Sequence, residues 1–203
     1  MAPAEEAFVR GWPEARIVHL LDDSLPVDLA AAGGLDEHMM GRFVALGRYC
    51  ARSGAAAVLF TCSAFGSAIA RVREDLHVPV LSPNEAMLEE AVACGAPVAL
   101  LATFEATITS MLPEFAAEAG RQGGVCDVVG SAVAGALEAL QRGDGAAHDV
   151  LVAAAAAAVD SHRVVALAQF SMARAAPAVE RVTGRRVLTT PDAAVAKLRR
   201  LVQ

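Results

Sequence analysis

Short aliphatic and β-branched runs alternate along this chain with longer stretches whose apolar residues recur at helical spacing, the pattern of a parallel α/β fold. Arg16-Ile17-Val18-His19-Leu20-Leu21 predicts a first strand, residues 22–26 the loop after it, and residues 36–53 a helix. Residues 56–61 predict a buried strand ending at Cys62; residues 64–75 have helical composition, and residues 78–81 read as a third strand. Beyond it Ser82 can cap a helix, Pro83 suits the first helical position, and Glu85 sits where a capping box places its acid. That helix is expected to run to about Cys94, with Gly95 stopping it.

A second cycle opens at residues 97–102 and continues in a helix over residues 105–119. Its next strand is predicted at 125–129, Ser131 then caps another helix, and a further strand lies at 164–168. The alanine run at 153–158 needs no reading beyond helix, since alanine is the best helix former. Val187-Leu188, Thr189-Thr190-Pro191-Asp192 and a helix to Leu201 add a strand and a capped helix that either half could own. Assigned to the first, they give two similar halves: 1–95 with 187–203, carrying Cys62, and 96–186, carrying Thr103 and the loop 169–171.

A chain of 203 residues can bury a real core without disulfide or metal staples. Although 55% of the residues are hydrophobic, no stretch of about 18 uncharged apolar residues reads as a membrane span. Glu5, Glu6 and Arg10 precede Gly11-Trp12-Pro13, which is not the order of a secretory signal, so a soluble cytoplasmic protein is expected. A formal charge of −6 disfavours nucleic acid as a partner, and the basic doublets Arg185-Arg186 and Arg199-Arg200 read as solvated helix ends. Cys50, Cys62, Cys94 and Cys126 lie too far apart in sequence for a C-x-x-C zinc or redox site, so reduced thiols are expected.

Ligands of open α/β sheets bind beyond the carboxyl ends of the strands, which narrows the candidates to a few loops. Cys62 is the most informative, because it sits where a strand yields to a helix. Helix N-termini carry about half a positive charge and favour thiolate, yet cysteine also serves as a small buried hydrophobe, and position alone leaves both readings open. Thr103, Thr107 and Ser110 form a hydroxyl-rich stretch that either holds a carboxylate against helix N–H groups or simply caps. Asp22 and Asp23 read as turn residues, His19 as a satisfied core histidine, and His162 as a surface residue before a strand. No G-x-G-x-x-G follows the first strand, and neither G-x-x-x-x-G-K-[ST] nor H-E-x-x-H occurs, so chemistry without a cofactor or metal is expected.

Four segments resemble the aspartate/glutamate/hydantoin racemase superfamily: Val58-Leu59-Phe60-Thr61-Cys62-Ser63-Ala64, Leu81-Ser82-Pro83-Asn84-Glu85-Ala86, Leu100-Leu101-Ala102-Thr103 through Thr107 to Ser110, and Val165-Ala166-Leu167-Ala168-Gln169-Phe170-Ser171-Met172-Ala173. The resemblance implies two Rossmann-like α/β lobes with parallel sheets, related by a pseudo-twofold, with the active site between them and often a homodimer. It implies a small carboxylate substrate, no cofactor, and proton transfer at an α-carbon by one cysteine from each lobe. Thr61, Ser63, Thr103 and Ser171 would then grip carboxylate groups, with Asn84 also in the binding site. The second lobe has no cysteine at that place: Gln169 stands there, or Phe170 after a shift of one residue. Neither side chain can act as an acid or base near neutral pH.

Three functions compete on this basis. The first is a racemase or isomerase of a small amino or carboxylic acid using Cys62, with Asp22 or a water near Ser171 as the other group. The second is a decarboxylase of a malonate-like acid, for which Cys62 suffices as the sole proton donor. The third is a catalytically silent carboxylate-binding protein.

Overall fold

The computed structural model describes residues 2–159 and 163–203. Its frame is a parallel sheet in the order β4-β3-β5-β6, made of β3 (Val98–Ala102), β4 (Val128–Ala132), β5 (Val164–Leu167) and β6 (Val187–Thr189). The register sets Leu100 beside Gly130 and Ala166, and Ala166 beside Leu188. All five residues of β3 are buried, which is why a central parallel strand reads as an unbroken apolar run.

Alternate side chains of this sheet serve two cores. Leu100, Ala102, Ala166 and Leu188 face one core with residues of α5 (Glu85–Ala93), α6 (Glu105–Arg121) and α10 (Thr190–Val202). Leu101, Val165 and Leu167 face the other, shared with α8 (Gly145–Ala158) and α9 (Ala176–Thr183). The short helix α7 (Ala136–Gln141) packs against α8. Gly130 belongs to β4 for a steric reason: a Cβ there would lie 2.2 Å from Cγ2 of Ile108, so α6 could not approach the strand.

The first half is smaller. Its sheet is the parallel pair β1 (Val58–Leu59) and β2 (Val80–Leu81), covered by α3 (Glu37–Arg52) and α4 (Gly66–Asp75). Phe43, Phe65, Ile69, Val72 and Val80 form its core; Phe43 packs on Phe65 at 4.6 Å and on Phe60 at 5.5 Å between ring centroids. Two further helices, α1 (Ala2–Gly11) and α2 (Leu25–Ala32), complete the N-terminal region, with α1 lying against α10.

An α/β chain with two parallel sheets is what the pattern predicts, and most elements fall where expected; three do not, and a fourth forms as expected but joins the other half. Residues 16–21 form no strand: Val18 is 77% and Leu21 70% exposed, and His19, expected in the core, meets Glu5 at 2.8 Å on the surface. The strand expected at 125–129 begins three residues later, because Val125 follows the turn at Gly123, whose φ of +78° breaks the chain away from the sheet edge. Ser131 therefore lies inside β4 and caps nothing. Residues 187–189 pair with β5, so this strand extends the larger sheet and does not complete the half that carries Cys62. His162 lies outside the described residues. Among those described, no helix is long and apolar enough to cross a membrane.

Candidate active site

Cys62 stands just past the carboxyl end of β1, in extended backbone, before a single 3-10 turn at Ser63–Phe65 that leads into α4. It is exposed, whereas Cys50, Cys94 and Cys126 are half-buried. Burial raises the Cys50 thiol, and burial followed by the charge of Asp127 raises that of Cys126, so both favour the neutral thiol. The strand before Cys62 is half-buried and not fully buried as expected, because a two-stranded sheet covers it on one side only.

Beside this turn opens a cleft of about 180 Å³ lined by Ser63, Gly66, Arg73, Ser82, Asn84 and Glu114 among others. The loop after β2 builds one wall. Glu85 accepts from the Ser82 N–H at 3.1 Å and from its hydroxyl at 3.0 Å, so only the acidic arm of the expected capping box forms and the helix itself begins at Glu85. Burial works to raise the Glu85 carboxyl, but Lys197 at 3.0 Å, the Ser82 N–H and Arg73 outweigh it and hold it below the ordinary 4.5. Lys197 also meets Glu89 at 2.6 Å, which ties α10 to α5 behind the loop.

Asn84 is only 6% exposed, lines the cleft, and has no side-chain hydrogen bond to any described residue. Its amide is not sealed in the core but opens on the cleft, where a ligand or water can bind it. Arg73 is committed: its Nε donates to the Val80 carbonyl at 3.0 Å, and its guanidinium pairs with Glu85. Glu114, from the middle of α6, is exposed and has neither hydrogen bond nor ion pair among the described residues; partial desolvation where it borders the cleft raises its carboxyl above the ordinary 4.5.

The other sequence candidates gather elsewhere or are already engaged. At the ends of β3 and β5, Gln169 Oε1 accepts from the Thr103 N–H at 2.7 Å and the Thr103 hydroxyl at 2.9 Å. Thr103 therefore caps no helix; α6 begins after Phe104 without a side-chain cap. The glutamine oxygen thus engages both the N–H and the hydroxyl of Thr103. Thr61 and Ser171 are exposed, Ser171 within the 3-10 segment Phe170–Ala175. Asp22 accepts from Ser24 Oγ at 2.7 Å and Arg42 at 2.6 Å, and these two, in that order, lower its carboxyl from the ordinary 3.8. That salt bridge fixes the loop before α2 to α3 and leaves Asp22 unsuited to accept a proton. Among the described residues, no group of three or more His, Cys, Asp or Glu side chains could hold a metal ion.

Sequence reasoning passed over Glu114 and Arg73. A signal for the former existed: Thr107, Ser110 and Glu114 lie at helical spacing, so the glutamate continues the hydroxyl stripe along one side of α6.

A two-sheet parallel α/β chain with a cysteine at one strand end and hydroxyl and amide groups at others defines a class, and comparison with known proteins names it. The Asp/Glu/hydantoin racemase family profile matches residues 31–198, and the chain belongs to that family. Solved structures agree in fold. An aspartate racemase homologue from Pyrococcus horikoshii OT3 superposes with a TM-score of 0.74 at 14% identity, over 99% of this chain and 92% of that one. A glutamate racemase isoform from Bacillus anthracis gives 0.70 at 14% identity, over 100% and 77%. Unliganded arylmalonate decarboxylase gives 0.58 at 19% identity, over 96% and 85%. No curated protein is similar enough in sequence to stand as a relative.

Proposed function

We propose that this protein is a cofactor-independent racemase or isomerase of a small amino or carboxylic acid, in which Cys62 moves the proton at the α-carbon. The observation that carries the reading is an exposed cysteine just past the end of β1, whose neighbour Ser63 lines a cleft together with the Asn84 amide. In this reading the substrate carboxylate rests on Asn84 and Ser63, next to the backbone N–H groups of the turn that follows Cys62. The thiolate takes the α-proton, and the electron pair passes into the adjoining carboxylate as an enediolate held by those donors. A proton returned from the opposite side inverts the centre.

A second reading is favoured by one specific feature. The place that the family resemblance gives to a second thiol falls on Gln169 or Phe170, neither an acid nor a base, and the Gln169 carbonyl oxygen is bound to Thr103. A decarboxylase of a malonate-like acid needs a single proton donor to quench the enediolate, and Cys62 alone satisfies that requirement.

Solvent deuterium separates the two. With purified protein in deuterated buffer, a panel of chiral amino acids and 2-substituted carboxylic acids is expected to include one whose α-proton exchanges as its optical rotation decays. Carbon dioxide release from disubstituted malonates, with no exchange into any chiral acid, would replace the first reading by the second.

A further inference from the structure

We infer that residues 16–21 are a strap that closes onto the open edge of β1 as a third parallel strand, and that their exposed position is its open state. The inference is independent of which reaction Cys62 performs.

Two unpaired backbone edges of this chain are complementary. The Val58 N–H donates to the Pro79 carbonyl at 2.9 Å and the Phe60 N–H to that of Leu81 at 3.0 Å. The residues alternating with them, Ala57, Leu59 and Thr61, therefore turn their N–H and C=O groups away from β2, where no described residue hydrogen-bonds to them. The backbone of residues 16–21 likewise bonds to no described residue. β1 has the composition of an interior strand, since Val58 and Phe60 pack against one core and Leu59 against another, yet it is only half-buried. The run matches it, with Ile17 and Leu21 on one of its alternating faces and Val18 and Leu20 on the other. A two-stranded sheet is marginal by itself, and a third strand would complete it.

The attachment of the run sets its direction. α3 turns back at Gly54 into β1 and packs on it, so the two run in opposite senses and Arg42, early in α3, lies toward the Cys62 end of β1. Arg42 holds Asp22 at 2.6 Å and the Ser24 hydroxyl at 2.6 Å, which fixes the carboxyl end of the run at that same end. A run closing from this anchor lies parallel to β1, and α2 with α3 supplies the crossover that a parallel pair requires. In the open position His19 is the one side chain of the run with a polar partner among the described residues, Glu5 at 2.8 Å, and a solvent-exposed pair of this kind holds weakly. Closure makes β1 an interior strand, so that the strand end bearing Cys62 is fixed from both sides.

Hydrogen exchange of the whole protein, followed by mass spectrometry, tests the strap. The amides of residues 17–21 are expected to exchange about ten-fold or more slowly than those of an unstructured chain, at a rate that does not depend on protein concentration. Alternate residues of a strand point their N–H groups to the same neighbour, and an edge strand tolerates proline where the N–H faces away. Of Val18→Pro and His19→Pro, one is therefore expected to abolish the protection and the other to leave it, while slow exchange of Leu100 and Leu101 in β3 persists in both. An unprotected run in the wild-type protein, or equal effects of the two prolines, overturns the inference. So does protection that rises with protein concentration, which would mean that the run pairs with a second copy of the chain.

Discussion

Cys62→Ala is expected to lower turnover about 10³-fold while the protein keeps its fold. The thiol is exposed, so its removal leaves no cavity and strands no buried polar group. The neighbouring Ser63–Phe65 turn is fixed by Phe65, which is 3% exposed and packs on Phe43, and not by the sulfur. Circular dichroism and the urea midpoint should therefore match the wild-type values, and activity alone should fall. Full activity in the variant would move the chemistry to another group. A coincident loss of fold would show that the side chain is structural.

The second large effect concerns stability. Phe115→Ala is expected to cost about 3–5 kcal/mol, as large-to-small changes at fully packed aromatic positions do. Phe115 is 1% exposed in the core that holds Leu100, Ile108, Met111 and Ala166, so its ring is enclosed by α6, β3 and β5 together. Domains of this size are stable by only about 5–15 kcal/mol, and the variant should unfold at a markedly lower urea concentration. The residue also has a functional bearing. By anchoring α6 it sets the rotation of that helix, and with it the direction of Glu114 one position earlier. A loss below about 1 kcal/mol would mean that this core can close over the gap.

Much of the fold is legible in the sequence for a definite reason. β3 and β5 are covered on both faces, so burial imposes unbroken apolar runs that stand out against the helices. Edges are less legible. Residues 16–21 carry a strand-like run, but a run shows only that side chains suit a sheet; it does not show that a partner strand lies alongside. β4 is an edge strand with alternating half-burial, and its start is set by the turn at Gly123, so composition misplaced it by three residues.

The site divides in the same way. Cys62 is visible because a strand end is a local feature, and so is the Ser82-Pro83-Asn84 loop. The pairing of Thr103 with Gln169 spans 66 residues and depends on β3 lying beside β5, which the sequence does not state. Glu114 is harder still. A glutamate inside a helix usually meets solvent, as this one does, and only the packing of α6 near the 82–84 loop also sets it on the rim of the cleft.

Alkylation with iodoacetamide at neutral pH, followed by peptide mass analysis with and without the racemised acid, tests the central claim most directly. The account predicts that Cys62 is modified before Cys50, Cys94 and Cys126, that activity disappears in step with its modification, and that the acid protects it. Modification of Cys62 with activity intact, or at a rate that no carboxylate changes, would contradict it.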